Sequence, residues 1–188
     1  MTSIVIVIIL ACLFGLYGIY VGLIQKKNKV AEAFSSIDVQ LKKRYSLIPN
    51  ILTIANKFME HEKTLMTELT ALRAKAVDLS SKKGNIKEKL ALDNEISSKM
   101  GQLMVSVENY PQLKSDSTMV TAMQTYNEVE EHISAARRFY NSAVLELNNA
   151  VEIFPSSMVA IMCGIEQQEF FQANDIDRKD VNAADYLK

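Results

Sequence analysis

The chain begins with an unbroken apolar run and then changes pattern. From Thr2 to Gln25 no side chain is charged, and Ile, Val and Leu dominate between Ile4 and Ile24. About 20 apolar residues suffice for a helix to cross the hydrocarbon of a bilayer, so the run predicts a transmembrane span. It does not read as a cleaved signal peptide, because no Lys or Arg precedes it and it outlasts the ~7–15 residues of a secretory apolar core. "ILAC" ending at Cys12 resembles a lipoprotein site only faintly, and more membrane-type sequence follows it. The expectation is a retained single span.

Beyond Gln25 the apolar residues become periodic. Val30, Phe34, Ile37, Leu41, Tyr45, Ile48, Leu52, Ala55 and Met59 recur at steps of three and four, as one face of a helix requires. The stripe passes Pro49 without changing phase and continues, across a polar interruption at Glu62, through Met66, Leu69 and Ala76. A proline inside a helix lacks the N–H and crowds the carbonyl four residues earlier, here that of Tyr45. A helix that ended at Pro49 would leave the next free to restart in any phase, so the unbroken phase predicts a kink. The expected element is one rod from the bilayer to about Leu79, on the order of 80 Å long. No Pro or Gly lies between Gln25 and Val30, which makes the rod continuous with the span.

Two further stripes follow. "SSKKGN" at 80–85, with Gly84 as turn or C-terminal cap, precedes Ile86, Leu90, Ile96, Met100, Leu103 and Val107. "NYPQLKSDS" then interrupts at Pro111, and Ser115 or Asp116 can cap a third helix. That helix carries Met119, Met123, Tyr126, Ile133, Tyr140, Val144, Leu147, Val151 and Phe154 before Pro155. "PSSMVAIMCGIEQQEFF" reads as a short helix that starts after Pro155 and folds back. Amphipathic helices with short connections bury their stripes against antiparallel neighbours. The expected fold is all-α: an N-terminal transmembrane helix continuing into an elongated antiparallel, coiled-coil-like bundle of three main helices plus a short C-terminal helix. The expected organisation is a transmembrane anchor over 1–25, a helical bundle over 26–172 and a mobile polar tail over 173–188.

Charge orients this arrangement. Lys26, Lys27 and Lys29 follow the apolar run, so the positive-inside rule predicts the N-terminus outside and the body in the cytoplasm. The formal net charge of −1 over 188 residues gives no general attraction to nucleic acid. Six glycines, three prolines and no Trp agree with a helical body. Cys12 lies in the span and Cys163 near the far end, so no disulfide framework is expected.

Candidate chemistry is sparse. Di-metal bundles use Glu-x-x-His pairs, but the residue three before His61 is Phe58 and that before His132 is Val129. Both histidines read as surface groups. Ser35 and Ser36 have no partners that sequence connects into a triad, and Cys163 reads as a small buried residue. Lys42, Lys43 and Arg44 read as a solvated helix face or as a contact for an acidic partner. A rod standing away from the bilayer puts them roughly 25 Å beyond Lys26, leaving lipid headgroups to Lys26, Lys27 and Lys29. No catalytic, cofactor-binding or metal-binding residue is assigned, and no cofactor is expected.

The order of blocks after the span resembles the LemA family of bacterial membrane proteins. The resemblance is carried by "KNKVAEAFSSIDVQLKKRYSLIPNIL", "HEKTLMTELTALRAKA", "ENYPQLKSD", "YNEVEEHISAARRFYNSAVLELNNAVEIFP" and the late Phe170 and Phe171. It runs from about Asn28 to Phe171, and "IDVQLKKRYSLIPN" is its most specific part. It implies a single-pass anchor, an antiparallel helical bundle and no established catalytic residues. Phe34 stands where family members often have Trp, Ser46 where an acidic residue is usual, and Ile165 where an aromatic commonly follows the glycine. The expected function is a non-enzymatic scaffold of the bacterial cytoplasmic (inner) membrane that self-associates, as a homo-oligomer, or binds envelope proteins. The alternative is an adaptor or regulator of a membrane-bound enzyme such as a protease or signalling protein. The expected partners are the lipid bilayer, further copies of the chain or another membrane protein, and no nucleic acid.

Overall fold

The computed structural model describes residues 1–81 and 86–171. Helix α1 runs from Thr2 to Ala55 without a break, 54 residues in all. Its N-terminal part contains an apolar stretch long enough to cross a membrane, and none of that stretch is covered by the rest of the molecule. Further on, Val30, Ala33, Ile37, Leu41, Tyr45, Ile48, Leu52 and Ala55 are buried in the bundle. One helix thus changes from apolar all round to apolar on one stripe.

Pro49 lies inside α1 and does not end it. The helix does end six residues later, at Ala55, and this overturns the expected rod to Leu79. The N–H groups of Phe58 and Met59 both donate to the Ala55 carbonyl, at 3.0 and 2.9 Å, and the fully buried Met59 fills the inside of the bend. A 3-10 turn, Glu60–Glu62, leads into helix α2, Lys63–Ser81. Helix α2 runs back along α1: Pro49 and Leu52 line a groove with Met66 and Thr70, and Leu41 and Tyr45 line a small cavity with Ala76 and Leu79. The two stripes face each other across this turn.

Helix α3, Ile86–Val107, lies against α2, with Lys99 2.6 Å from Glu68. Its Ile96, Met100, Leu103 and Val107 are buried. The one-turn helix α4, Pro111–Lys114, has Pro111 in its first turn, where a missing N–H costs nothing. Helix α5, Ser117–Glu152, starts at Asp116, whose carboxylate accepts from the N–H groups of Thr118 and Met119, both at 2.9 Å. It runs antiparallel to α1 and forms the largest contact in the molecule with it. It ends at Glu152 instead of Phe154.

Helix α6 covers only Ser156–Cys163, because Gly164 adopts the left-handed conformation (φ 62°) that closes it. The expected helix to Phe171 stops there, and residues 165–171 are not helical. The described residues therefore form four long helices, α1, α2, α3 and α5, and contain no strand. Gly84 and the tail over 173–188 lie outside the described residues.

Candidate functional site

Four charged side chains meet in the middle of the bundle. Arg44 on α1, Asp93 on α3, and Glu130 and Arg137 on α5 each stand three or four residues from buried apolar neighbours: Leu41 and Ile48, Ile96, Ile133, and Ile133 and Tyr140. Helical spacing therefore turns all four inwards. Arg44 has 0% of its surface exposed, as has Asp93. This corrects the reading of Lys42–Arg44 as one exposed basic face: Lys42 and Lys43 are exposed, whereas Arg44 is core.

The Arg44 guanidinium forms an ion pair with Asp93 and donates to Glu130 at 2.6 Å, to the Ser97 hydroxyl at 2.8 Å and to the Asp93 carbonyl at 3.2 Å. Arg137 donates to the other Asp93 oxygen, so one carboxylate bridges two guanidinium groups. Two cations and two anions balance, and α1, α3 and α5 are tied at one level. Tyr126 lies beside them with its hydroxyl buried. Burial pushes its phenol pKa up; Arg44 pulls it down and Glu130 pushes it further up. Burial also raises Tyr45, against the pull of Arg44. Asp38 shows the opposite balance: burial opposes its charge, but Lys42 and Lys89, at 2.8 and 3.4 Å, outweigh burial and hold it below its ordinary value.

A single charge-assisted hydrogen bond completes α1. The Tyr45 carbonyl has no intrahelical donor, since Pro49 carries no N–H. The Nε–H of Arg73 on α2 donates to that oxygen at 2.9 Å. The turn of α1 around Pro49 and the returning helix are thereby joined.

The segment after α6 is held by asparagines. Asn148 accepts from the Gln168 N–H and donates to its carbonyl, both at 2.9 Å. Asn141, two turns earlier on α5, does the same for Phe171 at 2.7 and 2.9 Å. Each side-chain amide pairs with backbone as a neighbouring strand would. The Phe171 ring lies 4.5 Å beneath the Arg137 guanidinium, so this strap reaches the charged cluster.

The remaining expected residues are dispersed. His61 and His132 are exposed and far apart in the chain, on the 3-10 turn and on α5, and Ser35 and Ser36 are exposed on α1. Cys163 is exposed, a correction to the buried reading: as the last residue of α6 it faces outwards while Val159 and Ala160 face the bundle. Lys26 and Lys29 reach Glu146 on α5, at 3.8 and 2.8 Å, and the Lys29 hydrogen bond holds the Glu146 carboxyl below its ordinary range. Among the described residues no group of His, Cys, Asp and Glu is arranged to hold a metal ion. What the cluster does chemically is to fix helices α1, α3 and α5 to one another, while among the described residues the Arg44 Nε and the Tyr126 hydroxyl are buried without a hydrogen-bond partner.

A model of the LemA family matches residues 33–184. The chain belongs to the LemA family. This LemA-family chain is 25% identical to the protein named LemA of Metamycoplasma hominis, over 90% of the chain and 78% of that protein. It is also 25% identical to magnetosome protein MamQ 2 of Paramagnetospirillum magneticum and 24% identical to magnetosome protein MamQ of Magnetospirillum gryphiswaldense, in each case over 73% of the chain. The LemA-family chain spans 59% and 58% of the length of these two magnetosome relatives. None of these names denotes a catalytic activity. The family match begins inside α1, past the apolar stretch, and takes in Arg44, Pro49, Arg73, Asp93, Glu130 and Arg137.

Proposed function

We propose that the chain is a non-enzymatic, membrane-anchored scaffold that self-associates or binds envelope proteins through its helical bundle. The observation that carries this reading is α1 itself, a single helix whose uncovered apolar part runs into the spine of the bundle. Such a helix holds the body at a fixed height and angle on the bilayer. Inward-turned charges spent on holding helices together support a structural part, as do relatives named for a cellular structure instead of a reaction. Lys26, Lys27 and Lys29 after the span favour the bacterial inner membrane with the bundle on the cytoplasmic side. Light scattering on the full chain in detergent and in nanodiscs tests the reading. A defined oligomer is expected in both, and monodisperse monomers in both overturn self-association.

The adaptor reading is favoured by the groove between α1 and α2, where Pro49, Leu52, Met66 and Thr70 stand at the end away from the span. Lys42 and Lys43 remain exposed for an acidic partner, but Arg44 is not available to one. Lys42→Glu with Lys43→Glu then abolishes capture of a crosslinked foreign partner while the helical signal is retained; unchanged capture removes the adaptor.

A further inference from the structure

The molecule exposes apolar side chains in two different ways. In the bundle they are scattered singly, as at Val39, Val77, Val105 and Val120, which is ordinary for a folded surface. At the α5–α6 turn they gather. Ile153 and Phe154 on the turn are 60% and 74% exposed, and Met158, Ile161 and Met162 on α6 are 58%, 80% and 85% exposed. The last three lie at i, i+3 and i+4 and form one helix face, while Val159 and Ala160 on the opposite face are buried. No charged residue occurs from Ile153 to Ile165.

The position of this patch along α1 identifies what covers it. Arg44 against Glu130, Phe34 against Tyr140 and Lys29 against Glu146 fix the antiparallel register of α1 and α5. Carried to the end of α5, that register sets Glu152 beside Gly22 and the turn beside Tyr20 and Val21. Leu23, in the apolar run, is only 1% exposed, and α6 packs on both α1 and α5 at this end. The turn therefore lies below Lys26, by about 9 Å at ~1.5 Å per residue, alongside residues that read as membrane-spanning.

We propose that the α5–α6 turn and the outer face of α6 form a second membrane contact, seated in the headgroup and upper acyl region of the leaflet next to the bundle. The inference rests on the reading of α1 as a span. The depth matches the ~5–10 Å at which interfacial apolar faces settle. Glu152, which accepts from the Gln167 amide at 2.5 Å, limits the insertion to the wetter part of that zone. Lys27, exposed at the same end, is placed for lipid phosphates. The register sets the turn alongside the exposed Tyr20 of the apolar run, so one solvent covers both.

Nitroxide labels on the full chain in phosphatidylglycerol and phosphatidylcholine nanodiscs test this. Cys12→Ser and Cys163→Ser clear the background, and Phe154→Cys and Met162→Cys carry the probe in separate samples, with Leu13→Cys in the span and Asn56→Cys at the distal bend as references. Collisions with oxygen exceeding those with a water-soluble nickel chelate are expected at 154, 162 and 13, and the reverse at 56. Nickel-accessible labels at 154 and 162 beside an oxygen-accessible label at 13 overturn the second contact and leave the span intact. A nickel-accessible label at 13 overturns the span, and the inference with it. Labels at 154 and 162 shielded from both reagents and broadened by mutual dipolar coupling show a second copy on the patch and overturn the lipid assignment.

Discussion

Helix α1 meets its bundle through two sets of ion pairs that look alike on paper. At the base, Lys26 and Lys29 share Glu146, and all three side chains are well exposed. In the middle, Arg44 shares Asp93 and Glu130, with Arg44 and Asp93 fully buried. Water and salt screen the first set, so its loss releases each charge to solvent at little cost. The second has no such refuge: removing one partner strands the others in a medium that solvates them poorly. The same chemistry is decoration at one level of the rod and an assembly condition at another.

The sharpest way to break this contrast is Asp93→Ala, which leaves Arg44 and Arg137 facing each other without their shared carboxylate. Urea unfolding of the full chain in micelles, followed by circular dichroism, is expected to show a loss of about 3–5 kcal/mol. The hydrogen bond from the Arg73 guanidinium to the uncharged Tyr45 carbonyl should fall between the extremes. Arg73→Ala leaves the Tyr45 carbonyl without a donor and is expected to cost about 1–3 kcal/mol. In a Pro49→Ala background the restored N–H serves that carbonyl, so the cost of Arg73→Ala should shrink; an undiminished cost in the double-mutant cycle refutes the link.

Acid titration gives a smaller effect of definite sign. The folded Asp38 pKa is lowered from 3.8, so its contribution is full above that value and lost as pH falls through the lower folded value. Asp38→Asn should flatten the acid limb of stability against pH below about pH 4, with little change at neutrality. The smallest effect belongs to Glu146→Gln, whose stability change should disappear in high salt. A change that persists there would erase the contrast between base and middle.

Much of this architecture was legible in the spacing of apolar residues. The long apolar N-terminal helix, the stripe from Val30 to Ala55 and the stripe of α5 from Met119 to Leu147 appear as read, because each is a local property of one helix, whereas Phe154 falls beyond α5 and is exposed. The bend after Ala55 was not, since a stripe records which face is buried and not the direction in which the chain travels. The signal present was the seven-residue step from Met59 to Met66, with "EHEK" between them. The central cluster was missed for a different reason. Lys42–Arg44 reads as a unit of charge, yet Arg44 alone falls three residues after Leu41 and four before Ile48. Asn148, four after Val144 and three before Val151, carries the same mark of a polar residue on an apolar stripe. What no spacing discloses is which distant segment answers it, Asp93 for Arg44 or Gln168 for Asn148.

The uninterrupted passage of α1 from its uncovered apolar part into the bundle has a rotational consequence for the anchoring proposed above. An α-helix turns about 100° per residue, so the face that the span presents to its lipid or protein neighbours fixes the compass bearing of α2, α3 and α5 above it. The chain has no swivel between anchor and body. One residue inserted near Asn28 would turn the body by roughly a quarter of a circle and lift it by ~1.5 Å, aiming every surface of the bundle at a different neighbour.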